Sequence, residues 1–267
     1  MDNLKKKIKR EYSKILNCSP QELVKLFQQR KKPIAEIVRT AMSTPQEIKK
    51  RVLQTKEPIC LMTDAEIKIL KKYASQTRIM AVEIGTLYGG STAYISSVLR
   101  GKVKLVTIDS FIYTIYSVVS LIAVLFNVTA DFSIHDTSLP DCEGVPELAK
   151  FMVRTFGDIN KIKIIKDYSY NVARKWKNKI DFLFLDGNHE YFEVLRDFIE
   201  WERFLVKGGI IIFHDSNHPL KNCSKKGIKK GTWGPSLLCK QIRNEMKNRY
   251  IVIDKKDSVT VFKKICE

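Results

Sequence analysis

Glu83-Ile84-Gly85-Thr86-Leu87-Tyr88-Gly89-Gly90-Ser91 decides the fold. A short apolar run from Ile79 leads into it, and a helix-like run to Leu99 follows it. The stretch therefore reads as strand, glycine-rich turn, helix. Such a turn directs backbone N–H groups and the positive helix end to the strand's C-terminal edge. Gly85, Gly89 and Gly90 lack a Cβ, so the main chain is expected to bend sharply and come close to a ligand. A dinucleotide-binding turn has the spacing G-x-G-x-x-G. Here the spacing is E-x-G-x-x-x-G-G-S, with Glu83 closing the strand. A carboxylate there repels a pyrophosphate and suits a cationic or hydroxylated ligand. The next strand, 103–108, ends in Asp109, placed to accept hydrogen bonds from ribose hydroxyls.

A second stretch, Asp181-Phe-Leu-Phe-Leu-Asp186-Gly187-Asn188-His189-Glu190-Tyr191, reads as a buried strand that ends in a polar cluster. The helix after it puts Tyr191, Val194, Leu195, Phe198, Trp201 and Phe204 on one apolar face. Lys207-Gly208-Gly209 is expected to stop that helix, with glycine in the C-cap region. Residues 210–213 make another buried strand, ending in His214-Asp215-Ser216-Asn217. Ligands of an open parallel sheet bind beyond the carboxyl ends of its strands. Four strand ends thus deliver Glu83, Asp109, Asp186 and Asp215 to one edge, with His189 and His214.

The glycine pattern resembles that of the class I S-adenosylmethionine-dependent methyltransferases. Asp186 to Tyr191 matches a D-G-x-H-x-Y element, and Lys207 to Asp215 a K-G-G-x-x-x-x-x-D element. These elements are similar to those of the macrocin O-methyltransferase and cephalosporin-hydroxylase-like (methyltransferase-24-like) subgroup, which also holds sugar O-methyltransferases. The tail, with Gly231-Thr-Trp233 and a hairpin-like pair at 250–254 and 259–262, is similar too. The resemblance covers about 79–264, except 110–144.

It implies an α/β fold: a Rossmann-like, mostly parallel seven-stranded sheet with helices on both faces. It implies S-adenosyl-L-methionine as cofactor. Glu83, Gly85, Thr86, Gly89, Gly90 and Ser91 would cradle the amino-acid end, Asp109 the ribose, and Asp167, after the strand 161–166, the adenine. His189 matches the family's catalytic base, and Asp186 is the second catalytic residue, as an anchor for a metal or the substrate hydroxyl. Asp186 and Asp215 match two carboxylates that hold Mg²⁺ or another divalent cation in metal-dependent relatives. His214 stands where those relatives have a further acid, although Mg²⁺ prefers oxygen. The implied activity is O-methylation of a small-molecule, sugar or glycan hydroxyl.

The organisation read from the chain is a basic helical extension, 1–76, ahead of a domain at 77–267. Three capping boxes mark the extension: Ser19-Pro20-Gln21-Glu22, Thr44-Pro45-Gln46-Glu47 and Thr63-Asp64-Ala65-Glu66. The domain carries an apolar insertion, 111–144, in which 111–128 holds no charge and approaches the length of a membrane span. It falls between the second and third strands, so a spanning helix would split one sheet across a membrane. A buried helix, a greasy lid or a homodimer surface are the readings that remain.

The net charge is +18, and it belongs to the two ends. Residues 1–60 carry 15 basic and 6 acidic side chains, residues 221–267 carry 13 and 4, and the stretch between balances at 19 and 19. Basic ends suit an anionic partner such as nucleic acid, acidic lipid or a phosphorylated glycan. Few aromatic residues interleave with those lysines, as a nucleic-acid platform requires. Asp186-Gly-Asn-His lacks the prolines of a base N-methyltransferase, which leaves RNA ribose methylation as the alternative function. Six cysteines without C-x-x-C spacing read as reduced thiols. The Lys-rich N-terminus lacks an apolar signal region, so a cytoplasmic location is expected.

Overall fold

The computed structural model describes residues 50, 52–111, 145–217 and 234–266. The capping boxes at Ser19 and Thr44, the insertion beyond Phe111 and Gly231-Thr-Trp233 lie outside them. Five strands run parallel: β1 (Met80–Ile84), β2 (Lys104–Asp109), β3 (Ile162–Lys166), β4 (Ile180–Leu185) and β5 (Leu205–Phe213). The hairpin β6 (Tyr250–Lys256) and β7 (Val259–Lys264) joins through β7, antiparallel to β5. Across the sheet the order is β3-β2-β1-β4-β5-β7-β6. The seven-stranded, mostly parallel sheet is as the sequence implies.

Successive strand side chains point to opposite faces, and the apolar residues sort accordingly. On one face Val82, Val106, Leu183, Ile211 and Phe213 meet Phe198 and Trp201 of α5 (Tyr191–Glu202) and Leu238 and Ile242 of α6 (Gly234–Glu245). On the other, Ala81, Leu105, Phe182, Phe184 and Ile212 meet Ile95 of α2 (Gly90–Val98) and Leu70 and Tyr73 of α1 (Asp64–Ala74). Two further α-helices are α3 (Val145–Phe156), which lies against α2, and α4 (Ser169–Lys175), which lies against α5.

Helix α1 begins with a complete capping box: Thr63 accepts from the Glu66 N–H, and the Glu66 carboxylate accepts from the Thr63 N–H. Although α1 falls inside the extension drawn at 1–76, it shares the sheet's own core. Lys72 and Tyr73 both donate to Asp254 of β6, which fastens it to the far hairpin.

Lys207-Gly208-Gly209 differs from expectation. Helix α5 already ends at Glu202, with Arg203 in the helical region, and β5 begins at Leu205. Ile180 pairs with Leu205 but Phe182 with Ile210, so the two glycines lie in an irregularity of β5 rather than in a helix cap. Gly208 has φ +85°, which suits a bulge that redirects the strand. Among the described residues no helix is long and apolar enough to cross a membrane.

Because Leu70 is fully buried between α1 and the sheet, Leu70→Ala is expected to cost about 2–5 kcal/mol. Urea denaturation measures this, and a loss below about 0.5 kcal/mol would mean that α1 is not part of the core.

Candidate functional site

The parallel ladder runs one rung past each strand and sets the site residues in a row. The Asp167 N–H donates to the Asp109 carbonyl, Gly85 to Ile108, Asp186 to Ile84, and His214 to Leu185. Asp167, Asp109, Gly85, Asp186 and His214 therefore stand at the ends of five neighbouring strands along the C-terminal edge, and Asp215 follows at once.

The glycine-rich turn is built for contact with the protein itself. Gly85 has φ +98°, and a Cβ there would lie 2.1 Å from the Asp186 carbonyl oxygen. A Cβ on Gly89, φ +85°, would meet the Ala149 backbone at 2.8 Å, and one on Gly90 would lie 1.9 Å from the Ile59 oxygen. The close approach expected toward a ligand is thus an approach to α3, to β4's loop and to the chain at 59–60. No side chain caps the start of α2, so its amino end keeps its positive character at the turn.

Three of the expected cradle side chains are occupied within the fold. Ser91 and Thr92 each donate at 2.5 Å to a different oxygen of Glu83, which is fully buried. Burial pushes the Glu83 carboxyl up to about 7, against the pull of those hydroxyls. Glu83 thus braces β1 against α2 rather than facing a ligand. Thr86 is spent on Thr107, with 2.6 Å between their hydroxyl oxygens. Asp109 accepts from the Leu87 N–H at 2.8 Å and the Phe111 N–H at 2.7 Å, one on each oxygen. Burial pushes its pKa up. Asp167 accepts from the Tyr168 N–H and the Asn171 amide, and the latter chiefly holds its pKa down.

Asp186, His189 and Asp215 meet at the ends of β4 and β5. Their ligand atoms all lie within 4.8 Å of one another, and all three are partly exposed. His189 Nε2 is 3.2 Å from Asp215 Oδ2. Asp215 has φ +49°, a left-handed backbone that a non-glycine residue adopts at a cost of about 1–3 kcal/mol. Leu87 and Phe111, at the ends of β1 and β2, share this feature, with φ 48° and 54°.

His214, expected as a tentative metal ligand, stands among carboxylates. Its Nδ1 is 2.9 Å from Asp186 Oδ1 and 3.3 Å from Asp215 Oδ2, and its Nε2 is 3.6 Å from Glu66 Oε2. Burial alone would lower the imidazole's pKa, but Asp186 first, then Asp215 and Glu66, raise it well above the usual value. His189 joins Asp186 and Asp215 in the cluster. Two carboxylate oxygens and one imidazole nitrogen fit a divalent ion that tolerates mixed donors better than Mg²⁺.

Glu66 was legible in the sequence only as a capping residue. Its Oε1 accepts from the Ser258 N–H at 2.7 Å and the Ser258 hydroxyl at 2.6 Å, while Oε2 faces Thr63 and His214. These contacts outweigh burial and hold its pKa down at about 2. Nothing within the helix marks such a role, because its partners lie about 150 and 190 residues away. Cys60 was missed as well. Burial, with the charges of Asp186 and Glu83, pushes its thiol up to about 12.

A methyltransferase-domain family matches residues 82–216, half of the chain. Uncharacterized protein R132 of Acanthamoeba polyphaga mimivirus is 39% identical over 61 residues, 21% of this chain. The match spans 28% of that relative's length. Among solved structures, the O-methyltransferase of Bacillus cereus in complex with SAH has a TM-score of 0.54 at 16% identity, over 83% of this chain and 91% of its own. The O-methyltransferase TomG of Streptomyces achromogenes, involved in tomaymycin synthesis and solved with SAM, has a TM-score of 0.50 at 13% identity, over 83% and 89%. At these identities the likeness is one of fold.

The depressed pKa of Glu66 makes stability pH-dependent. Its contribution is present above the unfolded value of 4.5 and is lost as pH falls toward 2. Glu66→Gln is expected to lower stability by roughly 2–3 kcal/mol at pH 7. The deficit should close between about pH 4.5 and 2. Urea titrations across that range measure it, and a deficit that stays constant with pH would contradict the assignment.

Proposed function

The chain belongs to the class I methyltransferase-domain family, and on that premise we propose that it methylates a hydroxyl oxygen, with S-adenosylmethionine as donor. The observation that carries this reading is the meeting of Asp186, His189 and Asp215 beside the turn after β1. When bound, the cofactor supplies an electrophilic methyl group on a sulfonium. The residues present fit it. Asp109 would hold the ribose, since a carboxylate offers about four lone-pair sites and its backbone donors are Leu87, Phe111 and Thr86. The uncapped start of α2 would face the amino-acid carboxylate. Asp167 would accept from the adenine amine.

His189 would be the base. Asp215 beside Nε2 keeps the proton on that nitrogen, which leaves the Nδ1 lone pair to take the proton of the acceptor hydroxyl. Asp186 would anchor the acceptor hydroxyl, its other oxygen oriented by His214. A divalent ion held by Asp186, His189 and Asp215 is the competing arrangement, and it would lower the hydroxyl's pKa. It would require His189 to act as ligand, so a single His189 cannot also serve as the base through the same nitrogen. The acceptor is read as a small molecule, sugar or glycan. The ribose hydroxyl of RNA is the second reading, favoured by the +18 charge.

The test uses labelled S-adenosylmethionine and a cell extract divided into RNA, lipid, glycan and small-molecule fractions. Label is expected in one fraction. On that acceptor His189→Ala should lower turnover by about 10²–10⁴-fold, with SAH affinity by calorimetry unchanged. Full turnover of His189→Ala would sink the base assignment. EDTA should leave wild-type turnover intact under the base reading and abolish it under the metal reading.

A further inference from the structure

One aromatic and basic cluster at the rim of the site has no part in the reaction described above. Tyr168 follows Asp167 at the end of β3 and is 45% exposed. Its ring stacks on Tyr170, with centroids 5.3 Å apart and an interplanar angle of 21°. The Arg196 guanidinium lies 3.9 Å from the Tyr170 ring centre, and that of Arg174 lies 5.6 Å from it. A stack of two rings and two guanidiniums therefore stands on α4 and α5.

Along β3 and α4 the charge is one-sided, whereas on α5 Arg196 is paired with Glu193. Residues 161–179 hold seven basic side chains and one acidic one, Asp167. That acid is already engaged by the Tyr168 N–H and Asn171. Lys163, Lys166, Arg174 and Lys175 are exposed, and β3 is the edge strand of the sheet. Phe192, three residues after His189, is 75% exposed on the neighbouring helix. The interleaving of aromatic and basic residues that the two ends of the chain lack is present here. A ring face open to solvent, cationic groups around it and an adjacent apolar side chain make the surface that a base and its phosphates recognise. An acidic lipid surface would use the charge but not the stacked ring face.

We propose that Tyr168, Tyr170, Arg174 and Arg196 form a stacking platform for a single-stranded nucleic acid. A base lies on Tyr168, and the neighbouring phosphates meet Lys166 and Arg174. Arg196 positions the platform by holding Tyr170 from behind. Because Asp167 is bonded to Asp109 through its backbone, the platform adjoins the same strand-end edge as Asp186 and His189. The proposal does not rest on the methyl-transfer reading, since binding is measured without turnover.

The experiment is fluorescence anisotropy with a 12-nucleotide fluorescein-labelled oligouridylate and the full chain. Tyr168→Ala changes no charge, so it separates stacking from general attraction to the basic ends. It is expected to weaken binding by about tenfold, and Tyr168→Trp to restore it. Arg174→Gln should reduce the slope of log affinity against log salt by about one. SAH affinity, measured by calorimetry on the same variants, should not change. Tyr168→Ala binding within twofold of wild type would overturn the platform. Lost SAH affinity with unchanged RNA binding would overturn it too, by assigning Tyr168 to the cofactor.

Discussion

Strands β1 and β4 come together at Gly85 so tightly that a single added carbon would lie 2.1 Å from the Asp186 carbonyl oxygen. The rest of the site hangs on that contact. It brings the turn after β1 against the loop after β4, and so sets Asp186 where Asp109, His214 and Asp215 can converge. Only a residue without a Cβ tolerates both the contact and φ +98°. The same logic repeats at Gly89 and Gly90, where α3 and the chain at 59–60 close on the turn. The glycines serve ligand binding indirectly, through the packing of the segments that surround the ligand.

Much of this was legible in the sequence because it is local. Short apolar runs marked β1, β2, β4 and β5, and the residues after each run are carried to the same edge by parallel pairing. Asp109, Asp186, His189 and Asp215 were therefore found by counting. What was not legible depends on partners distant in the chain. Lys207-Gly208-Gly209 reads as a helix stop by composition, yet it becomes a bulge because β5 must adjust its pairing with β4. His214 replaces an expected acid. Its setting among carboxylates appears only when Asp186, Asp215 and Glu66 come together around it. Glu83 reads as a ligand contact, but it is fully buried and each of its oxygens accepts from a hydroxyl at the start of α2.

Around the buried His214 the protein has gathered three carboxylates, Glu66 buried and Asp186 and Asp215 partly exposed. Burying such groups is costly unless each finds partners. Here Asp186, Asp215 and Glu66 share the imidazole, and Glu66 is satisfied further by Ser258 and Thr63. Apolar residues would fill the same volume at less cost. What the charged set supplies is direction, since Asp186 and Asp215 each have one oxygen committed to His214. Asp215, already in a left-handed backbone, is oriented from two sides, by His214 and by His189.

The bond from Ser258 to Glu66 joins residues 192 apart in the chain. Thr63 to Asp257 and Lys72 to Asp254, separated by 194 and 182 residues, run alongside it. Closing a loop of that length costs on the order of 5 kcal/mol in chain entropy, more than a single hydrogen bond returns. The stitch holds only because the intervening sheet has already brought its two ends together. The pair Glu66–His214 is thus a long-range reporter of complete assembly. A chain that has formed its five parallel strands but has not docked the β6–β7 hairpin has every residue of the reactive cluster and lacks the anchor that fixes Glu66. The β6–β7 hairpin latches α1 across the sheet.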